Sequence, residues 1–189
     1  NKNYDPKYDE WEAYSKKEPR VRLIRHSENR LYSGSCRTAI QESLGMITVI
    51  MVSDGQIIAA DIPRLLEKIN SGTNLVFGWR RDRKDVLLRM LMKLVFNVLG
   101  RFWLRFPFHD LNCGVRAFDM KFKQVAQVKY RINMVNPELF VRAKQAGLNI
   151  EEVEVQYFDR QAGKSSHDLN KILKIFVGVN KYFSSLRNE

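Results

Sequence analysis

An α/β fold on a mostly parallel sheet, with helices packed on both faces, is what this 189-residue sequence predicts. Met46 to Val52 is a continuous apolar run rich in β-branched residues, the pattern of a strand buried on both faces. Asn74-Leu-Val-Phe-Gly78 is a second short apolar run, and a helical segment lies between the two rather than a tight turn. Composition agrees: 44% hydrophobic residues with ten glycines and five prolines exclude collagen-like, low-complexity and disordered classes. A chain of this length buries about 70% of its unfolded surface, enough for a core without staples.

Each element follows in order. Asp5 to Lys16 opens with Asp-Pro and spaces Tyr8, Trp11 and Tyr14 by three, which predicts a short amphipathic helix. Val21 to Arg25 alternates like a half-buried strand, and Ser33 to Ser43 reads as a helix. The strand through Val52 ends at Ser-Asp-Gly. Asp61 to Ile69 is a helix with Asp61 as N-cap and Pro63 in its first turn, leading to the strand that ends at Gly78. Beyond the basic loop Trp79 to Asp85, an apolar helix runs from Val86 to Leu104. Its polar residues, Arg89, Lys93, Asn97, Arg101 and Arg105, recur every fourth position. Such a helix suits a core position with one wet edge or a membrane interface. Phe106 to Gly114 is a loop, Val115 to Phe118 a strand, Asn136 to Ala146 a helix stopped by Gly147, and Ile150 to Tyr157 a strand. Asp168 to Leu186 closes the chain as a basic amphipathic helix.

The net charge of +11 is localised. Residues 79–105 hold eight basic residues against two acidic, and residues 160–189 hold six against two. That concentration predicts an anionic partner: phosphate groups, a lipid surface or nucleic acid. Nucleic acid is disfavoured, because the aromatics of the basic helix are interleaved with long aliphatics instead of being displayed for stacking on bases. Cys36 and Cys113 are too few for a disulfide framework and lack metal spacing, so both read as buried thiols. No run of about 20 uncharged apolar residues occurs, which makes any membrane contact peripheral.

Loops at strand ends converge on one crevice in an α/β sheet. Ser53-Asp-Gly-Gln56, Gly78 to Asp85, His109 to Gly114 and Arg160 to Ser165 together offer carboxylates for a divalent cation and cations for phosphate oxygens. His26, His109 and His167 read as loop or surface residues rather than ligands.

Ile47 to Gln56, Phe77-Gly-Trp-Arg-Arg-Asp-Arg83, Asp110-Leu-Asn-Cys-Gly-Val-Arg-Ala-Phe118, Glu138 with Gly147, and Arg160-x-x-Gly-Lys-Ser165 follow one another as in family 2 glycosyltransferases, and His26-Ser-Glu-Asn29 also matches. The chain resembles that family from about Arg20 to Ser166, most closely its dolichyl-phosphate or polyprenyl-phosphate sugar transferases. The resemblance implies a GT-A (Rossmann-like) domain over residues 1–166, lacking the family's first strand, followed by the helix 167–189. It also implies transfer of a sugar from a nucleotide sugar to a polyprenyl phosphate, with Mg²⁺ or Mn²⁺, by a peripheral membrane protein. Asp54 and Gln56 would contact metal and diphosphate, Arg80 and Arg83 would hold phosphate, and Asp110 would stand beside the reacting centre. Arg160 and Lys164, with Ser165, would clamp the lipid phosphate. The family's metal motif is Asp-x-Asp-x-Gln, and Val52 takes its first position here. That substitution supports the alternative of a non-catalytic subunit of the same fold, which meets a membrane or a protein partner through its basic helices.

Overall fold

The computed structural model describes residues 8–81, 87–129, 135–158 and 169–188, with side chains described except at 8, 87–93 and 169–176. Helix α1 (Tyr8–Lys17) and helix α2 (Leu31–Glu42) precede strand β1 (Ile47–Met51). Helix α3 (Ile62–Asn70), strand β2 (Leu75–Arg80) and the long helix α4 (Leu87–Leu104) follow. Strand β3 (Val115–Asp119), helix α5 (Met120–Val125), helix α6 (Asn136–Gln145), strand β4 (Ile150–Val155) and helix α7 (Leu169–Arg187) complete the order.

The four strands form one sheet in the order β1-β3-β2-β4. The expectation of a mostly parallel sheet is corrected here. β3 runs antiparallel to β1, with Ile47 opposite Asp119 and Met51 opposite Val115, and antiparallel to β2, with Leu75 opposite Phe118. Only β2 and β4 pair in parallel, from Leu75 opposite Ile150 to Arg80 opposite Val155. An apolar run is silent about the direction of a strand's neighbour and about its place in the sheet: β1, expected to be buried on both faces, lies at the edge of the described sheet with Ile50 as its one buried residue. β1, β2 and β4 do share one direction, and β3 is the reversed strand inserted among them.

Helices cover both faces, as expected. Ile50, Leu75, Phe77 and Phe118 point to a core shared with Cys36, Leu104, Phe106, Leu139, Phe140 and Phe183, from α2, α4, α6 and α7 and the loop after α4. Val76, Val115, Ala117, Val153 and Val155 point the other way, onto Leu65 and Ile69 of α3. Phe106 sits at the centre of the larger core, with ring centroids 6.1 Å from Phe77, 5.1 Å from Phe108 and 4.8 Å from Phe140.

Three local expectations are also corrected. The strand at 21–25 does not form; Arg22 instead pairs with the Glu42 carboxylate at 2.9 Å, leaving Leu23 and Ile24 exposed. Alternation makes a strand only where a sheet edge receives its backbone groups. Asp61 does not cap α3, because its carboxylate accepts the backbone N–H of Gln156 at 2.8 Å. β4 therefore ends at Val155 instead of Tyr157: Gln156 turns to Asp61, and the Phe158 N–H donates to the Gln56 carbonyl at 3.0 Å. Helix α5, unanticipated in the sequence, is capped by Asp119, which accepts the Phe122 N–H at 2.9 Å.

Candidate functional site

β1 and β2 run toward the same end of the sheet, where β1 delivers Val52, Asp54 and Gln56 and β2 terminates in Arg80. Because β3 is antiparallel, the loop before it, rather than the loop after it, reaches that end. A parallel β3 would have carried residues 109–114 to the opposite edge. The reversal is thus what brings Asp110 and Asn112 to Asp54 and Arg80. Tyr32, Val52, Asp54, Gln56, Ile57, Arg80, Asn112, Gly114 and Tyr157 line a cavity of about 230 Å³ at this end.

Arg80 is the hub. Its Nε donates to Asp110 Oδ2 at 2.6 Å and its Nη2 to Asp110 Oδ1 at 3.0 Å, a bidentate pair in which both side chains are almost wholly buried. Nη2 also donates to the Asn112 carbonyl at 3.1 Å, and the guanidinium lies 5.4 Å from the centre of the Tyr157 ring. Burial works against the Arg80 charge, but the hydrogen bonds and attraction of Asp110 prevail and hold its pKa above the ordinary value. Asp110 Oδ1 further accepts the Asn112 N–H at 3.2 Å, which folds the loop back on itself. Cys113, in the same loop, is buried, and desolvation, assisted by the Asp110 charge, pushes its thiol up to about 11. Such a thiol is protonated at neutral pH and is not a nucleophile.

The expected metal and diphosphate contacts line the same cavity. Asp54 accepts the Gln56 N–H at 3.2 Å, and the Gln56 amide donates to the Tyr157 hydroxyl at 2.5 Å. Asp54 is the one carboxylate among the described residues lining the cavity. Val52 fills the place beside it, packed so closely on Gly114 that a Cβ there would lie 2.6 Å from Val52 Cγ2. A hard divalent cation asks for several anionic oxygens. These residues by themselves do not complete such a site, and no cluster of three metal-ligating side chains occurs among the described residues.

The structure therefore brings Asp54, Gln56, Arg80 and Asp110 together. Arg83, Arg160, Lys164 and Ser165 lie outside the described residues, as does His167. His109 is an exposed loop residue beside Asp110; its ring packs 4.8 Å from Trp79, and Glu152 holds both its Nδ1 and its backbone N–H. Asn97, a member of the polar stripe of α4, donates to the His109 carbonyl at 2.8 Å, so part of that stripe grips the site loop instead of facing water. Sequence reading missed Tyr32, Tyr157 and Asn136, whose amide donates to the Cys113 carbonyl at 3.0 Å. It also gave no role to Arg116, although a lone arginine between Val115 and Ala117 in an apolar strand was a visible signal.

The family model described as glycosyl transferase family 2 matches residues 5–125. Undecaprenyl-phosphate 4-deoxy-4-formamido-L-arabinose transferase of Pectobacterium atrosepticum is 22% identical over 168 residues, covering 89% of this chain and 50% of the relative. Dodecaprenyl-phosphate galacturonate synthase of Rhizobium johnstonii is 24% identical over 165 residues, covering 84% of this chain and 47% of the relative. The chain thus spans about half the length of the curated relatives it matches. Glucosyl-3-phosphoglycerate synthase of Mycobacterium tuberculosis, solved with Mn²⁺, uridine-diphosphate-glucose and phosphoglyceric acid, superposes with a TM-score of 0.56 at 15% identity, over 90% of this chain and 59% of that one. The shared architecture is the GT-A fold.

Proposed function

Because the chain belongs to glycosyl transferase family 2, we propose that it transfers a sugar from a nucleotide sugar to a polyprenyl phosphate at a membrane surface. The observation that carries this reading is the convergence of Asp54 and Arg80 on one cavity at the carboxyl ends of β1 and β2, with Asp110 holding Arg80 from behind. The acceptor phosphate oxygen attacks the anomeric carbon, the bond from that carbon to the diphosphate breaks, and the electron pair leaves with the nucleoside diphosphate. An acceptor phosphate is already anionic near neutral pH, so the site has no need of a strong general base. Its task is to place cations where charge develops. Arg80, fixed by Asp110, faces the donor phosphates; Arg83, Arg160, Lys164 and Ser165 supply further phosphate contacts; Asp110 stands beside the reacting centre.

Incubating the protein with labelled nucleotide sugars and a polyprenyl phosphate in detergent tests this directly. A lipid-linked sugar is the expected product, reduced at least a hundredfold in Asp110→Asn. Val52 favours a second reading, a glycosyltransferase fold that binds without turnover. Binding of nucleotide and lipid phosphate with no product from any donor would establish that reading and refute the first.

Metal use follows the same logic. Asp54 and Gln56 would hold Mg²⁺ or Mn²⁺ only with oxygens supplied by the donor diphosphate, and the ion would there stabilise the charge of the departing diphosphate. Calorimetry is expected to show Mn²⁺ alone binding no tighter than about 1 mM, and Val52→Asp binding at least tenfold tighter through its second carboxylate. Equal affinity in the two proteins would show that the metal is held elsewhere.

No helix among the described residues is long and apolar enough to cross a membrane. The exposed face of α4 carries Leu94, Val98 and Phe102, exposed by 60%, 54% and 68%, in a ridge of four-residue spacing. Arg101 and Arg105 are exposed near it. Apolar anchors with adjacent cations hold peripheral proteins on anionic lipid. On vesicles containing anionic lipid, Val98→Ser with Phe102→Ser is expected to weaken co-sedimentation about tenfold or more. Arg101→Gln with Arg105→Gln should weaken it by a similar factor, at about 1 kcal/mol per charge. Unchanged binding by both variants would move the contact to another surface or to a protein partner.

A further inference from the structure

Arg116 is the largest fully buried side chain described, at 1% exposure. Its Nη2 donates to the Tyr32 hydroxyl, and its guanidinium stacks 5.7 Å from the centre of that ring. Nε and Nη1 have no hydrogen-bond partner. No carboxylate pairs with it among the described residues, in contrast to Arg80 and Asp110. A buried cation whose donors are unmatched is strongly disfavoured unless an anion completes it.

Three further facts indicate where that anion enters. Tyr32, the one residue bonded to Arg116, lines the same cavity as Asp54 and Arg80. Ser33, its neighbour in the chain, carries a second buried oxygen without a partner. Leu31, on the other side of Tyr32, sits at a φ of +59°, a left-handed conformation that leucine adopts only at a cost, and α2 begins there without a side-chain cap. The first turn of α2 therefore holds Tyr32 over Arg116 in a strained arrangement.

We propose that Arg116 is an anion-binding residue of this cavity: when the Tyr32 ring turns aside, the guanidinium receives a phosphate-class oxyanion through its unmatched N–H groups. Arg80 is already neutralised by Asp110, whereas Arg116, bonded to the cavity-lining Tyr32, is a buried cation with no carboxylate partner among the described residues. The proposal rests on the transferase reading for the source of the anion, a donor diphosphate or an acceptor monophosphate, and on the geometry alone for the binding.

Thermal unfolding and calorimetry with inorganic pyrophosphate, and separately with geranyl monophosphate, test it without any measurement of transfer. At least one probe should raise the Tm of the wild-type protein; pyrophosphate points to the donor and geranyl monophosphate to the acceptor. Arg116→Met is expected to have a higher Tm than wild type without anion, because an apolar side chain of similar length removes the buried charge. Its Kd for the effective probe should rise about tenfold to a hundredfold. Arg116→Lys, which keeps the charge and loses the fork, should fall between the two. Should the methionine variant not fold, Tyr32→Phe decides: it removes the one partner of the guanidinium, so it should lower the Tm without anion and enlarge the anion-induced rise. An undiminished response in Arg116→Met, a response in Tyr32→Phe no larger than wild type, or no response to either probe in wild type would overturn the assignment. Failure of the transferase reading is read separately, as absence of a lipid-linked sugar while the Arg116-dependent response persists.

Discussion

Asp110→Ala is expected to lower the free energy of unfolding by about 3–5 kcal/mol, because it strands the Arg80 guanidinium without its counter-ion. The Arg80 side chain is 10% exposed and that of Asp110 is 2% exposed, so water can do little to replace the lost partner. Arg80 also ties down the Asn112 carbonyl at 3.1 Å, and the loop whose position depends on this pair carries Leu111 and Cys113 into the core. Removing both charges together, as Arg80→Met with Asp110→Leu, should recover most of the loss, since an apolar pair of similar volume has no desolvation cost to offset. Urea denaturation of the two single variants and the double variant measures the coupling as a cycle. A loss below about 1 kcal/mol in Asp110→Ala would place the pair among exposed salt bridges and contradict its buried geometry.

Gly78→Ala should also be damaging, for a different reason. An added Cβ would lie 2.4 Å from Val115 Cγ1, 3.1 Å from Cys113 Sγ and 3.3 Å from the Val115 carbonyl oxygen. One of these is backbone of the adjoining strand, so β2 and β3 have to move apart. Overpacking of this kind costs about 1–3 kcal/mol, and Gly78→Val should exceed that. The displacement also pulls Arg80, two residues on, away from Asp110, which couples the packing defect to the site. Gly178→Ala in α7 is the control: nothing lies within 4 Å of the added Cβ, and helix propensity predicts a gain of about 0.5–1 kcal/mol. Gly78→Ala combined with Val115→Ala should recover part of the loss. If Gly78→Ala unfolded at the same urea concentration as wild type, the close approach of the strands would not be a constraint on that position.

Gly78 illustrates how a motif can be legible while its reason is not. Phe77-Gly-Trp-Arg was recognisable in the sequence, but the need for glycine resides in Val115, across a strand boundary and 37 positions further on. The same holds for Arg80. Its place at a strand end was readable from the apolar run before it, whereas its partner could not be chosen among the carboxylates of three loops. That Asp110 is the group fixing Arg80 was decided by the fold, which presses the two together.

By itself, the sequence determined every helix but α5 and located the four strands. Apolar faces marked α4 and α7, Gly147 stopped α6, apolar runs marked β1 and β2, and alternation marked β4. These are local signals, set by which side of an element must leave water. It also determined the family, because short motifs in a fixed order survive where overall identity falls to 22%. Only the tertiary structure decided that residues 21–25 form no strand, that Asp61 serves Gln156 instead of its own helix, and that β3 runs backward between β1 and β2. Each of these depends on a partner far along the chain competing for the same backbone groups or side chain. It alone decided, too, that Arg80 is neutralised and Arg116 is not, since the charge a buried arginine presents is fixed by the groups that the fold places within hydrogen-bond distance of it.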